Sequence, residues 1–212
     1  MASQPLRAVS AQEALVESLR DRILRGEFVP GAPLSDVELA SEYGVARPTL
    51  RAAVQELVHE GLMRREPRRR ACVPRLTVED IRDLFYVRVP LELRAVEAIT
   101  GRVSVLDGAI RAVEHFERLG PESSWRDVVD VDMRFHTALI AATGSPRLQR
   151  AYASLQAEIR LARAQFRDET VTVLADEHRR LLATIIAGPA SAALQAMQEH
   201  LQQAEDDFVA LA

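Results

Sequence analysis

Residues 34–54 constrain this chain more than any other stretch. Around Gly44, whose missing Cβ permits a sharp turn, Leu39, Tyr43 and Val45 supply apolar anchors, so the segment reads as a helix, a glycine turn and a second helix. On the second helix Leu50, Ala53, Val54 and Leu57 recur at steps of three and four and form one buried stripe. Arg47, Arg51 and Gln55 run along its flank four apart, where long donor-bearing side chains reach phosphates and base edges. Alone, these charges could equally be a solvated face. The segment after the helix tips the balance toward DNA: Leu62-Met63-Arg64-Arg65 and Ala71-Cys72-Val73 read as two short strands around Glu66-Pro67-Arg68-Arg69-Arg70. Such a hairpin is a wing, and its Arg68, Arg69 and Arg70 are expected over phosphates or the minor groove of a double-stranded operator.

A formal charge of -4 is at odds with DNA until it is divided along the chain. Residues 1–76 hold twelve arginines against ten acidic residues, whereas residues 77–212 hold fifteen against 21. The basic excess therefore sits with the helix-turn-helix. No stretch is apolar for the roughly eighteen residues a membrane span needs, and the start lacks the apolar run of a signal peptide. A single cysteine cannot form an internal disulfide. These features predict a cytoplasmic protein that makes no membrane contact.

The order of elements follows from periodicity and breakers. After a tail expected to be disordered up to about Ser10, residues 11–25 place Leu15, Leu19 and Ile23 at steps of four and stop at Gly26. Pro74-Arg75-Leu76 forms a short linker, and Thr77 with Asp80 can cap the next helix. From there only helices are expected, separated at Gly101, Gly120-Pro121, Gly144-Ser145-Pro146, the polar run Arg167-Asp168-Glu169-Thr170, and Gly188-Pro189. The expected architecture is mainly α: a winged helix-turn-helix over 1–76, then an all-α bundle of about six helices over 77–212, with a kink at Pro90.

The bundle's apolar stripes are interrupted by polar residues. Asp132 and His136, four apart, project from the stripe of Val128, Val129, Phe135 and Leu139, while His178 breaks that of Leu174, Leu181 and Ile185, and His200 borders that of Ala193, Met197 and Phe208. A lone core histidine is more often hydrogen-bonded than metal-bound, but an Asp and three His on three helices form the donor set of a divalent metal, zinc before nickel or manganese. Arg88 and Glu92 interrupt another stripe. They read either as an intrahelical ion pair or, with Arg88 facing the metal cavity, as a bidentate grip for an effector carboxylate; Arg163 is a second candidate for that grip. His59 and His115 are read as surface residues. An Asp and three His could also lower the pKa of bound water, so a metal-dependent hydrolase with a DNA-binding arm stands as the alternative.

Taken together, these residues resemble the GntR family of transcription regulators, in its FadR-type branch with a C-terminal FCD ligand-binding domain. The resemblance rests on Pro30-Gly31, Glu38-Leu39-Ala40, Gly44-Val45, Arg47, Leu50-Arg51, Leu57, Glu60-Gly61-Leu62 and Val73 in the first half. In the second it rests on Arg88 with Leu91-Glu92, Asp132 with Phe135-His136, Ala142-Thr143-Gly144, Glu177-His178 and His200. It implies a homodimer reading a palindromic operator, most simply as a repressor, with a small carboxylate effector bound beside the metal. It also implies DNA contacts for Arg47, Thr49 and Arg51, and metal ligation by Asp132, His136, His178 and His200. The chain departs from the family pattern at Ala46, where a Ser or Thr commonly caps the recognition helix, at Arg70, where the wing usually has glycine, and at Ser145, where asparagine commonly follows the glycine.

Overall fold

Side-chain caps decide where five of the described helices begin. The computed structural model describes residues 10–120, 122–166 and 171–212; the expected tail before Ser10, Pro121 and the expected break at Arg167-Asp168-Glu169-Thr170 lie outside the described residues. Helix α1 (Ala11–Leu24) opens on a capping box in which Ser10 Oγ accepts from the Glu13 amide and the Glu13 carboxylate accepts from the Ser10 amide. Helix α2 (Asp36–Glu42) is capped by Ser35, whereas α3 (Arg47–His59) begins at Ala46 with no side-chain hydrogen bond. Pro48 near the start of α3 partly offsets that lack, since proline presets the helical φ and has no amide to satisfy.

By its contacts the chain divides into two compact units, Met1–Arg75 and Leu76–Ala212. In the first, Gly44 at φ +63 makes the turn between α2 and α3. Leu50, Ala53, Val54 and Leu57 of α3 are buried, and α3 packs chiefly on α1 through Leu15, Val16, Leu19 and Ile23. The two expected wing strands reduce to one antiparallel bridge between Arg64 and Cys72, with hydrogen bonds of 2.8 and 3.0 Å. Segment 71–73 also accepts from the Leu34 and Gly31 amides, each at 2.8 Å. Prolines 30, 33, 67 and 74 lie in or beside these segments and have no amide to donate, so the ladder cannot extend. At the tip, Pro67 and Arg68 occupy the corners of a turn closed by the Arg69 amide on the Glu66 carbonyl, and Arg68 takes a φ of 64°.

The second unit is all helix. Helices α4 (Val78–Ile99), α5 (Asp107–Phe116), α6 (Trp125–Ala142), α7 (Pro146–Ala153), α8 (Gln156–Gln165), α9 (Val171–Ala187) and α10 (Ala190–Leu211) make seven α-helices among the described residues, with one 3-10 turn at Val103–Val105. The extra helix arises because the fourth expected one is broken at Ser154, whose hydroxyl donates to the Ala151 carbonyl at 2.8 Å and so competes with the helical ladder. Pro90 lies inside α4 on an exposed side, as does Tyr86, the residue whose carbonyl would have accepted the missing amide, so water can satisfy it. Helix α4 packs mainly on α10 and α6, and α5 on α6 and α9; α6 therefore runs through the middle of the bundle.

Helix α6 begins at a capping box formed by Ser124 and Asp127. Removing one such cap costs about 1 kcal/mol. Ser124→Ala is expected to lower stability by that amount and Tm by a few degrees in a calorimetric scan; an unchanged Tm would show that packing alone holds the start of α6.

Candidate metal centre and nucleic-acid face

Burial makes each polar group in the bundle's interior answerable for a partner. Arg88, Glu92, Asp132, His136, Arg163 and His178 are all at most 2% exposed. The i, i+4 spacing on α4 brings Arg88 Nε to Glu92 Oε1 at 2.7 Å, and Tyr152 donates its hydroxyl to the same oxygen at 3.3 Å. The other oxygen, Oε2, accepts from His136 Nδ1 at 2.5 Å. Burial alone would raise the Glu92 pKa, but the adjoining His136 and Arg88 hold it down to about 2. Glu92 is therefore an ionised carboxylate that fixes both the ring plane and the tautomer of His136: the proton is on Nδ1 and the lone pair on Nε2 points inward.

His178 reaches the same arrangement by another route. Its Nδ1 donates to the Leu174 carbonyl one turn back on α9, at 2.7 Å, which again leaves Nε2 as the bare nitrogen. The ring is walled by Phe116 and Phe135, with centroids 4.7 and 4.8 Å away. His200 on α10 stacks on His136 at 5.3 Å between centroids, with 3.4 Å between their Nε2 atoms, and its Nδ1 lies 3.9 Å from the Glu177 carboxylate. The three imidazoles present nitrogens within 4.8 Å of one another. Asp132 stands beside two of them: its Oδ1 is 3.2 Å from His178 Nε2 and 3.8 Å from His136 Nε2.

This geometry is unfavourable without a cation. Two imidazole lone pairs face a carboxylate oxygen in a region closed to water, and neither Asp132 Oδ2 nor His178 Nε2 has a hydrogen-bond partner. Burial pushes the His136 pKa down despite Glu92, and burial together with the facing His178 and His136 holds His200 well below the usual range, so neither of these two rings supplies a positive charge. Burial also works against ionising Asp132, yet the adjoining Arg163 guanidinium holds its carboxyl well below its usual range. The Arg163 guanidinium donates to Asp132 Oδ1 at 3.1 Å and lies 5.3 Å from the Phe208 ring, which neutralises part of the charge. Three gathered imidazoles with the Asp132 carboxylate beside two of them make a donor set that fits a divalent ion such as zinc. The carboxylate behind His136 is the kind of outer support that metal-bound histidines use.

Arg88, the first expected effector residue, has a second property. Its Nη1 and Nη2 are buried and lack hydrogen-bond partners, while its Nε is held by Glu92. The fork thus points its two amino groups away from the ion pair. The ion pair that the sequence offered is made, and the edge formed by the two amino groups is left over.

In the first unit, Arg47, Arg51 and Gln55 are exposed on α3, Thr49 is half-buried beside them, and Arg68, Arg69 and Arg70 are exposed at the wing. Gln55 pairs with His59 at 3.2 Å. Asp36, which carried no role in the sequence reading, accepts from Arg51 Nε at 3.3 Å and lies 3.6 Å from Arg65 Nη2. That contact engages Nε and leaves the edge formed by the two Arg51 amino groups clear of Asp36. The signal was present as an acid at the start of α2, but nothing in the spacing ties positions 36, 51 and 65 together.

Comparison with known proteins agrees with both halves of the chain. Residues 11–73 match the model described as bacterial regulatory proteins, gntR family, and residues 83–203 match the FCD domain. The HTH-type transcriptional regulator YdhC of Bacillus subtilis is 24% identical over 86% of this chain and 84% of its own, and the HTH-type transcriptional repressor GlaR of Escherichia coli is 27% identical over 86% and 89%. Among solved structures, a GntR transcriptional regulator of Rhodococcus sp. RHA1 superposes with a TM-score of 0.82 at 26% identity, covering 95% of this chain and 98% of that one.

The Glu92 contacts set a test of their own. Glu92→Gln keeps the shape but removes the charge that fixes the His136 tautomer, and zinc affinity is expected to fall about 10- to 100-fold in competition with a chromophoric chelator. Unchanged affinity would mean that His136 is not oriented through Glu92.

Proposed function

Because the chain belongs to the GntR family of bacterial regulatory proteins and carries an FCD domain, it is a transcription regulator, and we propose that it is a cytoplasmic repressor whose hold on DNA is set by a small acid. Two copies would read a palindromic operator, each placing α3 in a major groove and its arginine wing on the flanking backbone. Arg47, Thr49, Arg51 and Gln55 would make the contacts on α3, and Arg68, Arg69 and Arg70 those of the wing. The repressor GlaR, similar over most of its length, supports the direction of control.

The observation that carries the sensing half is the pairing of a cation-demanding cluster with an arginine fork linked to it by one carboxylate. Arg88 and His136 are bound to opposite oxygens of Glu92. A divalent metal held by Asp132, His136, His178 and His200 would supply open coordination positions to an anionic oxygen. Arg88 would take the effector's carboxylate on Nη1 and Nη2, two parallel charge-assisted hydrogen bonds that a planar carboxylate matches. Arg163 would act at one remove, by holding Asp132. A ligand moves the DNA-binding equilibrium only by binding one arrangement of the protein better than another, so a repressor of this kind releases its operator when the acid favours the other arrangement.

The hydrolase alternative gains no support. The matched families are regulatory, and Glu92, the carboxylate bonded to the imidazole cluster, is engaged by Arg88, Tyr152 and His136, which leaves it unsuited to act as a base on water. No helix among the described residues is long and apolar enough to cross a membrane.

Two measurements check this reading. In gel shifts on DNA flanking the protein's own gene at fixed salt, an Arg47→Ala, Arg51→Ala double variant is expected to lose about 1 to 3 kcal/mol for each base contact removed; equal binding by variant and wild type would refute the assignment. Protein purified without a nickel column should contain close to one divalent ion per chain. Chelation should destabilise it by RT ln(1 + [L]/Kd), about 2.7 kcal/mol if the ion had been at a hundredfold excess over Kd. Absence of metal together with an unshifted melting curve would leave the cluster without its cation and sink the sensing proposal.

A further inference from the structure

The second unit is acidic, with fifteen arginines against 21 aspartates and glutamates in residues 77–212, yet one groove on it is lined by no carboxylate. It opens among α5, α6 and α8 with a volume of about 620 Å³. Three helical faces feed it. Arg111, His115 and Arg118 follow one another at steps of four and three on α5 and just past its end; Arg134 and Thr137 come from α6, and Gln156 and Arg160 from α8. Small residues keep the space open: Gly108, Ala112, Ala138 and Ala141 also line it, and a Cβ on Gly108 would stand 3.0 Å from that of Ala138.

Some arginines of the unit are matched by acids, as Arg94 is by Glu97 and Arg179 by Asp176. Among the described residues, only Arg160 of the groove's arginines has a carboxylate, that of Asp130. Arg134 donates to His115 Nδ1 at 3.4 Å instead, and Arg111, Arg118 and Arg134 have no acidic partner among the described residues. Several like charges in one concavity repel one another and raise the local concentration of anions. Neutral donors lie among them, for Gln156 donates to the Thr137 hydroxyl at 2.8 Å and leaves that hydroxyl's own proton for another acceptor.

We propose that this groove is a second ligand site, separate from the metal cluster, for a small phosphorylated anion. Guanidinium groups converging from three helices suit a tetrahedral phosphate, which accepts from several directions, better than a flat monocarboxylate. The volume falls within the range of roughly 300 to 1,000 Å³ usual for small-molecule sites and is concave, where a DNA duplex needs a broader face. Helix α6 serves both sites from opposite sides: Asp132 and His136 turn into the bundle, and Arg134 and Thr137 line the groove.

The test is isothermal titration of the full chain with fructose 1,6-bisphosphate and, separately, inorganic phosphate, at matched ionic strength and before and after chelation. One site per chain is expected. It should persist after chelation and weaken at least tenfold in Arg111→Gln, Arg134→Gln, whose circular dichroism should match the wild type because both residues are exposed; Arg118→Gln gives a second, independent loss. Tighter binding of the bisphosphate than of phosphate identifies the source as a phosphorylated metabolite, and the reverse identifies the free ion. No binding by wild type, equal binding by the double variant, or loss on chelation would overturn the proposal. So would a double variant that dissociates in sedimentation, which would make the groove a subunit interface, or one that loses operator binding with no anion present, which would make it a DNA contact.

Discussion

The buried carboxylate of Glu92 is the interaction on which the second unit depends. At 1% exposure an isolated carboxylate would be strongly disfavoured, and it persists because Arg88, Tyr152 and His136 all donate to it. Those three donors come from α4, α7 and α6, so one charge ties three helices at a common depth. The same contact settles which nitrogen of His136 is bare, and through it the electron-rich character of the whole cluster. Replacing such a group by a hydrocarbon of similar volume often gives a more stable core. Its presence makes sense as the support of a site.

The cluster then arises from conflict rather than from complementarity. Imidazole nitrogens and a carboxylate oxygen gathered within a few ångströms, with two buried atoms unpartnered, form a set that a cation resolves and water does not. Arg163 relieves part of that conflict through Asp132, which explains why a second arginine is buried here at all. In the first unit the logic is milder, because the groups are exposed and solvent screens them. There a single carboxylate, Asp36, turns Arg51 and draws in Arg65 without binding either tightly.

Much of this was legible in residue order. The stripe of Leu50, Ala53, Val54 and Leu57 fixed which face of α3 is buried, and so which face Arg47, Arg51 and Gln55 occupy. The intrusions at Asp132, His136, His178 and His200 were visible because a polar residue at a core position breaks a period of 3.6. Other features were hidden. The strands of the wing shrank to a single bridge, since prolines on both sides deny the ladder its donors. The break at Ser154 depends on a hydroxyl turning back on its own helix, a choice that local spacing does not force.

By itself the sequence determined the class of each element, the inward or outward sense of its side chains, and the kinds of atom available for chemistry, because these depend on periodicity and on neighbours a few positions away. Only the tertiary structure decided that Glu92 stands behind His136, 44 residues on, that Asp36 reaches both Arg51 and Arg65, and that arginines from three helices meet over one groove. Those pairings depend on how helices cross. A crossing is set by the packing of whole faces against each other, and that information is spread over the chain rather than written in any one stretch of it.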